Sequence, residues 1–175
     1  MKKLLLILIL FIPFTVSAQK LLKPTVDKLT GDTIWSTSKE KLYMHGNYLT
    51  GQGEAVVCFL KSTKGAKGLV LNIQSTNQAK FPVFVKEGKA NFKLADGSIV
   101  TLTCVSDDYS ISGSTVAIAG SSFGLFGLSP ADIEKLSTQN ITFIRLETTA
   151  GNFDCDIKTK NAEMFKKQFA VLGNH

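Results

Sequence analysis

The stretch FPVFVKEGKANFKLADGSIVTLTCVS, residues 81–106, decides the fold. Apolar and polar residues alternate on either side of two turn signals, Glu87-Gly88 and Asp96-Gly97, the pattern of antiparallel strands with one wet face. It reads as a β-meander, with Phe81 to Lys86 extended, Ala90 to Leu94 returning and Ile99 to Val105 returning again. The second turn fixes the parity. A two-residue Asp96-Gly97 loop sets Leu94 opposite Ile99 and mixes Phe92 and Leu94 with Thr101 and Thr103. A three-residue loop, Ala95-Asp96-Gly97 with Gly97 left-handed, instead gathers Phe92, Leu94, Val100, Leu102 and Cys104 on one face. Asn91, Lys93, Thr101 and Thr103 then face water beside Ile99. The bulged hairpin is preferred because it separates a core face from a solvent face.

Working toward the N-terminus, Leu69, Leu71 and Ile73 alternate with Val70 and Asn72 as a half-buried strand, and Ala55 to Leu60 is a continuous apolar run that suits a central strand. Between them, Lys61 to Gly68 reads as a flexible hairpin loop, since Gly65 and Gly68 lack the spacing and the terminal Lys-Ser/Thr of a phosphate loop. Earlier strands are expected at Leu42 to His45 and at Thr33 to Ser36, where Trp35, the only tryptophan, anchors the core or its rim. Gln19 to Leu29, interrupted by Pro24, is an extended lead-in.

Toward the C-terminus, Asp107 to Ser114 reads as a polar loop and Thr115 to Ala119 as a short strand. Gly120 to Gly127 sets Phe123, Leu125 and Phe126 among glycines. This Gly-rich loop either tucks its side chains under the sheet or exposes them as a contact. A helix follows with Ser129 as N-cap, Pro130 at the first helical position, Asp132 completing a capping box and Leu128 stapling onto Ile133, running to about Thr138. Strands at Ile141 to Glu147 and Phe153 to Lys158 lead to a last helix, about Ala162 to Leu172, that buries Ala162, Phe165, Phe169 and Leu172, stops at Gly173 and lies across the sheet. The fold class is α+β: a curved antiparallel sheet of about eight to ten strands, as a roll, barrel-like closure or sandwich, with two helices in the C-terminal third.

Lys2-Lys3, the apolar run Leu4 to Val16 and the small pair Ser17-Ala18 form a signal peptide, residues 1–18, cleaved at about Ala18. Removing it leaves 157 of the 175 residues as a single α+β domain, residues 19–175, and lowers the formal charge from +6 to +4. The mature chain is expected to be exported, periplasmic or secreted, monomeric and without a transmembrane span, because no later stretch reaches the roughly 20 apolar residues a spanning helix needs. Arg145 is the only arginine. Nucleic-acid readers rely on arginine forks, so nucleic acid is not expected as a partner.

From Lys61 to Lys93 seven lysines meet one acid, Glu87. Lys61, Lys64 and Lys67 either guard strand edges or meet an anionic polysaccharide, a lipid headgroup or a protein partner. Cys58, Cys104 and Cys155 are an odd set in apolar contexts. They read as buried thiols, with a single disulfide such as Cys104 to Cys155 as the alternative. No metal-ligand spacing, cofactor motif or nucleophile elbow is present. His45 has no acidic sequence neighbour and His175 is the last residue. Asp154 and Asp156 are the best acidic pair, on one strand face with Cβ atoms about 6.6 Å apart. Cys155 points the other way, and Asp107-Asp108 lies in a polar loop.

Ala18/Gln19, Asp27-Lys28-Leu29-Thr30-Gly31-Asp32, Leu94-Ala95-Asp96-Gly97 and Ser129-Pro130-Ala131-Asp132 before Ile144-Arg145-Leu146 form a combination that resembles small exported proteins of Bacteroidota-type bacteria with no assigned activity. The resemblance covers most of the mature chain through turns and caps, and it implies no catalytic residue or cofactor. The functional expectation is a non-enzymatic exported binding or interaction protein, with Phe123, Leu125 and Phe126 or the lysines 61, 64 and 67 as its contact. The alternatives are a carrier of a small apolar ligand in a sheet-and-helix pocket and a small hydrolase using Asp154 and Asp156.

Overall fold

The computed structural model describes residues 19–47, 50–77, 80–106, 109–115, 118–173 and 175. The signal peptide, Asp107-Asp108 and the middle of the expected 115–119 strand lie outside them. Among the described residues, eleven strands form two antiparallel sheets, neither closed into a barrel.

The larger sheet is built around a long hairpin, β4 (Glu54–Thr63) and β5 (Ala66–Ser75), paired along their whole length. The lysine-bearing segment 61–68 is therefore strand rather than loop. Only Lys64 and Gly65 turn, both left-handed at φ 52° and 79°, the geometry of a two-residue hairpin turn. On the far edge of β4, β2 (Thr33–Ser36) takes the turn end and β3 (Glu40–His45) the other, with a bulge between Lys41 and Tyr43. β1 (Thr25–Val26) pairs with β2, so the lead-in is an edge strand.

The smaller sheet runs β11-β10-β6-β7, from β6 (Lys89–Leu94), β7 (Ile99–Thr103), β10 (Ile141–Thr148) and β11 (Gly151–Asp156). Its central hairpin has the bulged form. Lys93 pairs with Ile99 and Phe92 with Val100, the Leu94 N–H donates to the Ser98 carbonyl at 2.9 Å, and Gly97 sits at φ 86°. Phe92, Leu94, Val100, Leu102 and Cys104 are all buried as that register requires.

Phe81 to Lys86 departs from the expected meander. It forms no ladder, only a bridge from Phe84 to Thr148, and β10 occupies the edge of β6 instead. The segment crosses over a strand that was expected to be a glycine-rich loop. Residues 118–127 are β9, paired on one side with β5 and on the other with β8 (Tyr109–Thr115), where a polar loop was expected. Gly120, Ser122 and Gly124 share one face of β9, and they are small because residues 81–84 lie against them. A Cβ on Gly124 would meet the Phe84 and Phe126 rings at 2.9 Å, and one on Gly120 the Phe81 ring at 3.1 Å. The Phe84 N–H donates to Ser122 Oγ at 2.9 Å. Glycine inside a strand marks close approach of another chain segment, and here it seats the crossing.

Ser129 caps α1 (Pro130–Thr138) with the complete capping box expected of it. A 3-10 turn at Thr159–Asn161 precedes α2 (Met164–Leu172), so the last helix starts two residues later than its pattern suggested. α2 lies against β4, where Gln168 Nε2 donates to the Cys58 carbonyl at 3.2 Å and Met164 Sδ lies 3.3 Å from Cys58 Sγ. One core fills the space between sheets and helices, with Phe92 against Phe165 and Phe84 against Phe126 edge to face.

Candidate functional site

Strict alternation in the smaller sheet sends every second side chain away from the core, and register groups these into three cross-strand rows. One row is Asn152, Glu147, Lys89 and Thr103, and the next is Asp154, Arg145, Asn91 and Thr101. Both are occupied with themselves. Glu147 accepts from the Lys89 backbone N–H at 2.8 Å while Lys89 Nζ reaches Thr103 at 2.9 Å. Arg145 grips Asp154 through two bonds of 2.7 Å, and Thr101 donates to Asn91 at 2.7 Å.

The third row differs. It runs Asp156, Phe143, Lys93, Ile99. The Lys93 and Asp156 side chains make no ion pair or hydrogen bond among the described residues, Ile99 is 59% exposed, and half-buried Phe143 lies between them with the Arg145 guanidinium 5.8 Å from its ring centroid. A bulge at Ile141 to Phe143 turns Thr142 onto the Lys93 carbonyl and tilts this end of β10. The result is an open groove of about 620 Å³ along the row.

Asp156 also borders a second, narrower depression of about 190 Å³, where β3 meets the end of β11. Asn161 Nδ2 holds the Leu42 carbonyl at 2.9 Å and the Tyr43 ring meets Phe153 edge-on, fixing β3 there. Lys41, Lys158 and Lys160 line it, none in an ion pair among the described residues. Burial, reinforced by the carboxylates of Glu54 and Asp156, pushes the Tyr43 phenol up to about 12, so its hydroxyl stays protonated.

The residues singled out from sequence are dispersed. Phe126 is in the core at 1% exposure and is no surface contact. Phe123 and Leu125 lie on the opposite face of β9, away from the core, with Leu125 37% exposed beside Val70. Lys61 shares that face, its ammonium and that of Lys39 each 5.7 Å from the Phe59 ring centroid. Lys64 pairs with Asp32 at 3.0 Å, and Lys67 reaches the Gly173 carbonyl behind the sheet. The structure does not bring these six into one surface.

Asp154 and Asp156 do share a face, but the Arg145 fork and its charge hold the Asp154 carboxyl below the usual carboxylate range. That suits a fixed anion and removes Asp154 as a proton donor near neutrality. The three thiols are free and buried, and burial pushes Cys58 and Cys155 strongly up, which keeps them as unreactive thiols. His45 pairs across the strands with Glu54, a neighbour invisible in sequence, and His175 stacks on Trp35 at 4.1 Å. Among the described residues no cluster of histidine, cysteine and carboxylates is placed to hold a metal, and no helix is long and apolar enough to cross a membrane.

Sequence reasoning placed Lys93 and Ile99 on the solvent face but missed Phe143. The available signal was its parity: in Ile141 to Glu147 it is the one aromatic out of phase with Ile144 and Leu146. Compared with known proteins, the chain matches no family model, no curated protein and no solved structure.

Proposed function

We propose that this is an exported, non-enzymatic binding protein whose contact surface is the outer face of the four-stranded sheet. The observation that carries the reading is the row Asp156, Phe143, Lys93, Ile99, which leaves a cation and an anion unpaired on either side of an aromatic ring, beside two rows whose charged groups are engaged within the row. An aromatic flanked by convergent polar groups in a concave surface is the usual composition of a ligand site. The export half rests on residues 1–18 and on the resemblance to exported proteins of Bacteroidota-type bacteria.

Immobilised mature chain, residues 19–175, tested against acidic and neutral polysaccharides, anionic vesicles and unstructured peptides, checks the reading. It predicts retention of one class and loss of that retention in Phe143→Ala, with the unfolding midpoint kept. Retention of no probe, or retention indifferent to Phe143→Ala, contradicts it.

A further inference from the structure

Resting on that surface, we infer that its ligand is an acidic polysaccharide, held across Asp156 from the Phe143 groove into the lysine-lined depression beside β3. The two hollows share Asp156 as a wall and together present Lys93, Lys41, Lys158 and Lys160 without counter-ions among the described residues. Against these four stand two carboxylates without an ion pair among the described residues, Asp156 and the nearby Glu54, since Asp154 is neutralised by Arg145. The excess is positive, so the occupant is anionic.

The arrangement then selects among anions. A lipid surface needs a continuous apolar face to insert, and here Phe143, Ile99 and Met44 are separated by Lys93, Asp156 and the lysines of the depression. Protein contacts are depleted in lysine, of which this surface carries four. A sugar chain uses all the parts: a ring face against Phe143, hydroxyls donating to Asp156 and meeting Asn91, and carboxylates or sulfates reaching the lysines at both ends. Four strands spaced about 4.8 Å apart set Ile99 about 14 Å from Asp156, so a single sugar would not fill the row and a chain would.

The test is affinity electrophoresis of the mature chain in gels containing polygalacturonate, alginate or dextran sulfate, beside methyl-esterified polygalacturonate and dextran, whose backbones match without the charge. The inference predicts retardation by the acidic polymers only, fading as salt is raised. It predicts about tenfold weaker retardation in Lys158→Gln/Lys160→Gln, and no change in Lys61→Gln/Lys64→Gln on the other sheet. Equal retardation by the esterified polymer overturns the ligand class while leaving the surface, provided Phe143→Ala still abolishes it. Sensitivity to Phe143→Ala but not to Lys158→Gln/Lys160→Gln overturns the path across Asp156. Loss only in Lys61→Gln/Lys64→Gln overturns both the ligand path and the surface.

Discussion

The inner faces of β6 and β9 solve opposite packing problems. β6 supplies bulk: Ala90, Phe92 and Leu94 project into the core, with Phe92 fully buried and 5.5 Å from Phe165. β9 withholds it: Gly120, Ser122 and Gly124 form a trough in which residues 81–84 lie, closing the core with Phe84. The difference teaches that a strand can be defined by what it leaves empty. A β6-type strand is stabilised by its own side chains, and a β9-type strand by those of a segment remote in sequence.

Emptying β6 should give the largest effect. Phe92→Ala removes a fully buried ring and leaves its Phe165 partner facing a void, at an expected cost of about 3–5 kcal/mol in chemical denaturation. Filling β9 comes next. Gly124→Ala drives a methyl into the Phe84 and Phe126 rings and should cost about 1–3 kcal/mol, whereas Gly127→Ala, with nothing within 4 Å of the new atom, should cost far less. If the two alanines behave alike, the trough is not what selects glycine. Ser122→Ala keeps the volume small but strands the Phe84 N–H, and about 1–3 kcal/mol is expected from that loss alone.

Tyr43, where β3 meets β11, extends the comparison to the sheet junction. Its pKa is raised above the unfolded value near 10, so the stability it contributes is complete below pH 10 and is lost as pH rises through about 12. An alkaline absorbance titration should show a tyrosine ionising at about pH 12, and Tyr43→Phe should remove that step. The smallest effect belongs to the wet side of β6, where Lys93→Gln should change stability by no more than about 0.5 kcal/mol.

The same contrast explains what was legible. Turn chemistry and alternation disclosed the Ala95-Asp96-Gly97 bulge, the Ser129 capping box and the buried face of β6, because each depends on neighbours close in sequence. Most of β8 and β9 reads as loop in the sequence because glycine and serine carry no apolar period. Only the arrival of Phe81 and Phe84 makes Gly120 and Gly124 strand residues, and that contact spans about forty positions. For the same reason the sequence marks Phe126 as a candidate contact, whereas it faces the core. The groove was half legible: Lys93 and Ile99 follow from the hairpin, but their alignment with Phe143 and Asp156 needs the pairing of β6 with β10 and of β10 with β11.

The central claim is that the outer face of the four-stranded sheet, with the depression beside β3, binds and the patch of the seven-stranded sheet around Phe59, Lys61 and Leu125 does not. Titrating isotope-labelled mature chain with short polygalacturonate, while following every backbone amide by NMR, tests it most directly. The account predicts that the largest shifts fall on Lys93, Phe143, Arg145 and Asp156, with Phe59, Lys61 and Leu125 unmoved. Largest shifts at Phe59, Lys61 and Leu125 would contradict it.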